Sequence, residues 1–465
     1  MLGVATRSRD TSGMDETKPP ARLARHEWLS LHTWRRRILF WSGAVLVGLA
    51  AILFAEASTF VYDQFRALLG HGRWWPLLLA PAMFALLSWL TSGALRATRG
   101  SGIPQAIAAL NVDDQGFRRR LLSLRVAAGK MALTLAALGA GASVGREGPT
   151  VHVGAGILYS LGRRFGFADA QAASRFILAG GAAGIAAAFN TPLAGVVFAI
   201  EEMAGAFEHR MSGVVLTAVI IAGVVSLGLL GDYAYFGKVG TTLPLSSGWI
   251  AILLCGLGCG IAGGLFARLI LLDDWRVLAR IAAVRARRPV SFAAACGLAL
   301  ALLGLASGDS VYGTGYDQAR AILQGSAAAP GEAFGGLKFL ANVASYWAGI
   351  PGGIFSPALA VGAGLGHSIA LLMPGTQASA IVLLGMAGYL AGVTQAPLTS
   401  AIISMELTDN QNMVIPILAV CLLARWASSL LCRTPVYKAF AQRLVAEFEQ
   451  SRTTAPRQPS KETPA

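Results

Sequence analysis

The sequence predicts an all-α polytopic membrane protein built by internal duplication, and three observations lead there. Of its 465 residues 55% are hydrophobic and 13% charged, whereas a soluble domain carries roughly 25% charge. Leu, Ala, Val and Ile run in Gly-punctuated blocks of about twenty residues, the length that crosses a hydrocarbon core of about 30 Å. Two Gly/Pro-containing patterns also recur in the same order along the chain. This composition excludes a disordered chain. Length alone suggests about three soluble domains, yet the apolar blocks fill the chain from end to end, so one membrane domain over 31–449 is expected.

The blocks lie at about 38–62, 75–96, 121–142, 172–189 and 212–231, and again near 248–272, 290–306, 333–350, 379–393 and 412–431. Between them sit shorter apolar pieces that start at Gly/Pro clusters and are too short or too broken to span. Broken helices at membrane depth persist only where protein buries them or where they line an aqueous cavity. The functional information is therefore in those pieces.

The duplication is read from two matches. Gly145-Arg146-Glu147-Gly148-Pro149, with Gly154 and Gly156, aligns with Gly353-Ile354-Phe355-Ser356-Pro357, with Gly362 and Gly364, at one constant offset. Ala183-Gly184, Pro192-Leu193 and Glu201 recur as Ala387-Gly388, Pro397-Leu398 and Glu406, with one residue inserted. The halves fall near 38–235 and 245–445. Duplicated membrane folds with interrupted helices at matching positions place their site where the repeats meet, near the midplane. Whether the repeats run parallel or inverted is not contained in these patterns.

The net charge of +14 matters by its location. Arg22, Arg25, Arg35, Arg36 and Arg37 precede the first block, and Arg433, Lys438 and Arg443 follow the last, so both ends are expected in the cytoplasm. These charges sit at segment ends without aromatic interleaving, which excludes a nucleic-acid-binding face. The five cysteines, Cys255, Cys259, Cys296, Cys421 and Cys432, show no pairing pattern. Neither disulfides nor zinc are indicated, and no metal or cofactor is expected. Residues 1–30 and 450–465 read as disordered cytoplasmic tails, and the first 21 residues contain no signal-peptide core.

Gly100-Ser101-Gly102-Ile103-Pro104, the Gly145 segment and the Gly353 segment each place small residues and a Pro at the start of an apolar run. Pro suits a first helical turn because the N–H that it lacks would be unbonded there anyway. Three helix N-termini inside a membrane offer free N–H groups and about half a positive charge each, which suits an anion. Partial charges hold it loosely enough to release it. Breaks made for packing alone would leave the same pattern at any one motif.

Glu147 lies at such an N-terminus in apolar surroundings, where a charge costs about 2.5 to 3.5 kcal/mol. Its carboxylate can stand in for a bound anion and leave on protonation, or it can cap the helix. Glu201 has a repeat partner in Glu406 and reads as structural. Glu202 has none, which fits an asymmetric task such as proton transfer, or else a solvated helix end. Tyr437 follows the last block and can aim its hydroxyl at an anion or anchor at the interface. Lys130 needs a partner that the sequence does not name. Gly141-Ala-Ser143-Val-Gly145 lacks the strand that a nucleophile elbow requires, and Gly258-x-Gly260-x-x-Gly263 lies inside an apolar block as a packing stripe. His152 and His367 are isolated packing residues, so no enzyme chemistry is expected.

Taken in order, Gly100-Ser-Gly-Ile-Pro104, Gly145-Arg-Glu-Gly-Pro149, Gly353-Ile-Phe-Ser-Pro357 and Tyr437 resemble the signature segments of CLC chloride channels and transporters, over about residues 30–449. The resemblance implies an inverted repeat of many tilted, partly non-spanning helices, assembled as a homodimer in a lipid bilayer with one anion pathway per subunit. It implies chloride bound by the Ser101 and Tyr437 hydroxyls and the N–H groups of Ile354 and Phe355. Glu147 becomes the external gate and proton acceptor, beside an outer anion site formed by the backbone of Gly145, Arg146 and Gly148. Glu202 matches the internal proton-transfer glutamate of CLC exchangers, which favours a proton/chloride antiporter over the alternative, a passive voltage- or pH-gated chloride channel. Ser101 matches the chloride type, where a Pro goes with nitrate. Gln105 departs from a frequent Glu, and Ser356 from a frequent Ala. Fewer than thirty residues follow Tyr437, so the nucleotide-binding pair of domains of eukaryotic relatives is not expected. A compact chain of this type fits a bacterial inner membrane.

Overall fold

The computed structural model describes residues 31–454 other than 168, 205–212, 232–233, 244 and 273–275. Residues 1–39 and 40–465 form two compact units, and of the first only the opening turns of a helix are described. The expected tails, 1–30 and 455–465, lie outside the described residues.

The described residues form helices joined by loops, with one isolated bridge. The first repeat holds α1 (Leu31–His71), α2 (Pro76–Ser92), α3 (Ile103–Asn111), α4 (Gln115–Leu122), α5 (Leu124–Gly139) and α6 (Glu147–Arg164). It continues through α7 (Ala170–Phe189), α8 (Pro192–Phe198), a π-helical turn (Ala199–Ala204) and α9 (Gly213–Leu230). The second holds α10 (Leu245–Leu271), α11 (Arg276–Arg287), α12 (Pro289–Ala306), α13 (Tyr316–Leu323) and α14 (Phe334–Trp347). After these come α15 (Phe355–Leu371), α16 (Ala378–Thr394), α17 (Pro397–Thr408), α18 (Val414–Leu431) and α19 (Val436–Thr454). Pro occupies the first turn of α2, α3, α8, α12 and α17. Two departures from the sequence reading concern helix ends. α1 extends well beyond 38–62, and α19 stays helical through Thr454, so 450–454 are not a disordered tail.

Six helical stretches are long and apolar enough to cross a membrane, among them Ala170–Phe189 and Val414–Leu431. α3, α8 and α13 are too short to do so. Glycine sets how closely the spanning helices approach. A Cβ on Gly154 of α6 would collide with the Gly180 carbonyl of α7, and one on Gly362 of α15 would lie 2.5 Å from the Gly385 carbonyl of α16. These are equivalent positions in the two repeats, and small residues let backbones touch where lipid gives little driving force for association.

Three contacts between or within the repeats fix their relation. Gly145 N donates to Gly353 O (2.8 Å) and Gly353 N to Gly145 O (2.6 Å), an isolated antiparallel bridge between equivalent residues. α6 and α15 thus meet at their N-terminal ends, while their flanks pack on different partners, α7 and α16. The repeats are inverted. The second contact is reciprocal capping: the Glu201 carboxylate accepts from Leu398 N (3.2 Å) and Thr399 N (2.6 Å) at the start of α17, and Glu406 accepts from Leu193 N (3.2 Å) and Ala194 N (2.6 Å) at the start of α8. Each acid satisfies two N–H groups that a helix start leaves open. The structural reading of Glu201 from its repeat partner agrees with this.

The third is a pair of lysine clamps that sequence comparison missed. Lys130 Nζ donates to Thr98 O (2.7 Å) and Gly100 O (2.6 Å). Lys338 Nζ donates to Val311 O (2.8 Å) and Gly313 O (2.8 Å). Each ammonium closes a Gly-x-Gly loop whose glycines have positive φ: Gly100 (68°) and Gly102 (107°), Gly313 (64°) and Gly315 (79°). Gly313-Thr314-Gly315 is therefore the counterpart of Gly100-Ser101-Gly102.

Replacing either capping acid tests the reciprocal contact. Glu201→Ala and Glu406→Ala should each cost about 0.5 to 2 kcal/mol, the usual range for a lost helix cap. Thermal unfolding in detergent should show similar losses for the two variants. A loss confined to one of them would show that the two caps are not equivalent.

Candidate functional site

The inverted bridge brings the first turns of α6 and α15 together in the protein interior, with the Ser101 loop alongside. Gly148 is the point of closest approach, since a Cβ there would collide with Ser101 Oγ and lie 3.3 Å from Gly353 Cα. Ser101 and Tyr437 are buried, at 1% and 0% exposure. Their hydroxyls face each other, yet neither has a partner in hydrogen-bonding geometry among the described residues. The Tyr437 ring stacks on Phe355 at 6.0 Å and 12°, which holds its hydroxyl at the start of α15. The N–H groups of Ile354 and Phe355 belong to that first turn, where no carbonyl accepts from them. Two buried hydroxyls without partners thus lie by a helix start whose first amides no carbonyl takes. Buried donors of this kind are normally satisfied.

Glu147 is fully buried. Its carboxylate folds back over Gly145 toward the start of α15, where Oε1 accepts from Ser356 Oγ and Oε2 lies 3.5 Å from Ser356 N. It thus takes the donors of the opposite repeat's helix and does not merely cap its own. Ser356 is a donor that the sequence reading undervalued, since a hydroxyl in the first helical turn is a visible signal of it. One expectation is corrected. Gly145 N is bonded to Gly353 O, so its single proton is not free for an outer anion site. Arg146 and Gly148 flank Glu147 at the start of α6. The Arg146 side chain turns away and donates to Ala55 O (2.7 Å).

The family model of the voltage gated chloride channel matches residues 83–429. This chain belongs to that family, the CLC proteins. It is similar to the H(+)/Cl(-) exchange transporter ClcA of Cronobacter sakazakii, at 33% identity over 88% of this chain and 89% of the relative. The ClcA of Yersinia pestis is 32% identical over 88% of both chains. Among solved structures, a slow cyanobacterial Cl-/H+ antiporter superposes with a TM-score of 0.75 at 24% identity, covering 89% of this chain and 99% of that one. A CLC-type fluoride/proton antiporter gives 0.74 at 23%, covering 88% and 98%.

In this CLC protein Glu202 stands on the π-helical turn that follows α8. Single π turns interrupt helices mostly at functional positions, and this one carries both Glu201 and Glu202. Tyr437 lies within electrostatic reach of both Glu202 and Glu147. A cavity of about 370 Å³ opens beside the turn, lined by Asn111, Asp113, Arg118, Ser174 and Met203. A second, of about 280 Å³, opens toward Glu147 and is lined by Thr59, Tyr62, Arg146, Tyr235 and Tyr316. His152 is a packing residue as expected, its Nε2 2.8 Å from Leu121 O. Gln105 Nε2 donates to Arg99 O (2.7 Å), bracing the Ser101 loop without a charge.

Lys130 acts on the site through that loop and not by touching it. Lys130→Met should leave two buried carbonyls unsatisfied, at about 1 to 3 kcal/mol each, and loosen the Ser101 loop. Halide affinity by calorimetry should fall on the order of tenfold, the equivalent of about 1.4 kcal/mol. Lys338→Met, which releases only the Thr314 loop, should bind halide as the parent does. Equal effects of the two would assign both lysines to general stability.

Proposed function

We propose that this protein exchanges chloride for protons across a bacterial inner membrane, with both termini in the cytoplasm. One observation carries the reading: a buried carboxylate, Glu147, lies on the Ser356 donors of α15, in a chain whose second acid, Glu202, stands on a π-helical turn within electrostatic reach of Tyr437. The relatives named as proton/chloride exchangers support it, and none of this calls for an enzymatic step. Chloride is bound by the hydroxyls of Ser101 and Tyr437 and by the amides of Ile354 and Phe355. These are partial charges at a helix start, which bind an anion without trapping it.

Glu147 acts as gate and proton acceptor. Ionised, it holds Ser356 and the outer anion position, formed with the backbone of Arg146 and Gly148. Protonated, it loses the charge that competes with chloride and yields that position. Glu202 passes protons between the central region and the cytoplasmic cavity beside Asp113 and Arg118. A passive channel of the same fold has no use for a second acid on the cytoplasmic side, so Glu202 favours exchange. The protein works as a homodimer. α8 and α17 are too short to cover themselves and leave the repeat-equivalent Leu193 and Leu398 exposed, a surface for a second copy.

Three measurements test the reading. In proteoliposomes, a chloride gradient imposed without a proton gradient should drive protons uphill. Chloride flux that leaves the internal pH unchanged would make the protein a channel. Glu147→Gln keeps the shape of the protonated side chain and should give chloride flux that is uncoupled and independent of pH. Flux with unaltered pH dependence would reduce Glu147 to a helix cap.

Ser101→Ala removes one neutral donor of several, worth about 0.5 to 1.5 kcal/mol, so chloride affinity should fall by no more than about tenfold. Ser101→Pro also reshapes the loop and should favour nitrate over chloride in coupled flux. If neither variant changes the order of the two anions, Ser101 does not select between them.

A further inference from the structure

α11 has two faces of different character. One is turned to the protein: Leu278 is buried, at 2% exposure, and a Cβ on Gly349, in the loop after α14, would lie 2.8 Å from Arg285 Nη2. The other carries Val277 and Val284, exposed at 64% and 54%, with Arg280 and Arg287 exposed beside them. Each of these arginines stands three residues after a valine, so the basic and apolar side chains form parallel rows along one side of the helix. Arg288, also exposed, follows directly. Among the described residues α12 is the one helix that packs substantially on α11.

The neighbours of this face set its depth. α12 is among the stretches long and apolar enough to span, and it starts at Pro289, the residue after Arg288. Ser88 Oγ donates to Pro289 O (3.1 Å), which brings the end of α2 to the same level. There Trp89 is 63% exposed, and tryptophan concentrates at headgroup depth. Away from that level α2 exposes Leu78 and Leu86, and α12 exposes Leu298 and Leu302, a surface suited to acyl chains. A helix that bears apolar and basic rows side by side at the edge of such a surface lies in the interface. Arg443 of α19 donates to Leu271 O at the end of α10 (2.8 Å), so this interface is the one on the α19 side.

The chain supplies the three arginines with no counter-charge. No acid occurs in sequence between Arg276 and Asp309, and none of Arg280, Arg287 and Arg288 has an ion-pair partner among the described residues. Asp273 and Asp274, close to Arg276, lie outside the described residues, so Arg276 is not counted with them. At an aqueous surface water suffices for such charges, but at this depth the groups at hand are lipid headgroups. Guanidinium stays charged and offers a planar pair of donors that matches a phosphate.

We propose that α11 is a binding surface for anionic phospholipid of the leaflet on the α19 side. Arg280, Arg287 and Arg288 hold the headgroup phosphates, while Val277, Val284 and Trp89 rest on the upper acyl chains. A zwitterionic headgroup brings a cation of its own against the arginines and is disfavoured.

Full-length protein in phosphatidylcholine vesicles doped with a photoactivatable phosphatidylglycerol tests the assignment. Cross-links should map to α11 and to the segment around Trp89. They should exceed those from photoactivatable phosphatidylcholine at the same fraction by about tenfold or more, since one basic residue near an anionic surface is worth about fivefold in affinity. The combined variant Arg280→Gln, Arg287→Gln and Arg288→Gln should unfold at the parent's temperature and be labelled equally by the two lipids. Equal labelling of the parent protein would overturn the proposal, and so would an excess that the variant retains. Cross-links on α2 and α12 that leave α11 unlabelled would show that something other than lipid covers this face, and displacement of the label by soluble glycerol phosphate would make it a site for a free anion; either result also overturns the proposal.

Discussion

The two hydrogen bonds that Gly145 and Gly353 exchange hold the N-termini of α6 and α15 against each other inside the protein, and the other features of the site answer to that contact. A helix start leaves up to four N–H groups without partners, and two starts placed head to head in a medium of low dielectric leave a deficit that water cannot fill. The chain meets it in two ways. Glu147 places its carboxylate on Ser356 at the start of α15, and the Tyr437 ring stacks on Phe355 beside it. Close approach is a backbone requirement here. A Cβ on Gly353 would lie 2.9 Å from Gly148 N, and one on Gly145 would lie 3.0 Å from Pro357 Cδ.

Around this contact the inverted repeat supplies a symmetric frame, and the exceptions to its symmetry are where the chemistry lies. Lys130 and Lys338, Glu201 and Glu406, Gly154 and Gly362 perform the same task in each half. Glu147 corresponds instead to Phe355, whose ring orders Tyr437. Ser101 corresponds to Thr314, which lines neither end of the same pocket but faces the opposite cavity. Glu202 corresponds to Leu407, an apolar and fully buried residue. A duplicated scaffold thus fixes geometry twice, and the proposed roles fall on single departures from it.

Much of this was legible in the sequence, and what was not has physical reasons. Blocks of about twenty apolar residues mark the spanning helices because hydrocarbon thickness fixes their length. The Gly/Pro starts mark α3, α6 and α15 because few other residues suit those turns. Inversion was not legible, since a repeated string has no orientation until its ends are seen to meet. The lysine clamps join residues far apart in sequence, and the Gly313 loop stands at a different offset from the rest of the repeat, so no fixed alignment shows it. α1 outran its apolar block because a helix continues into the interface where hydropathy no longer records it. The Gly145 amide was misassigned because motif position says nothing about which N–H groups the partner repeat has already taken.

The cations near the pathway show how a site can be made attractive to an anion without becoming a trap. Lys130 is fully buried close to Ser101, yet its protons go to the carbonyls of Thr98 and Gly100. Arg146 stands next to Glu147, yet a guanidinium proton goes to Ala55 O. Each contributes its field while these hydrogen bonds are committed elsewhere, so in the proposed pocket an anion would meet hydroxyls and amides. A direct ammonium or guanidinium contact in a dry interior would be far stronger, because Coulomb energies scale inversely with the local dielectric, and the exchange of one anion for the next would slow accordingly. Neutral donors for contact and charged groups at one remove are the combination that release of an anion demands, and the Gly100–Gly102 loop, held by Lys130, keeps that charge at one remove from Ser101.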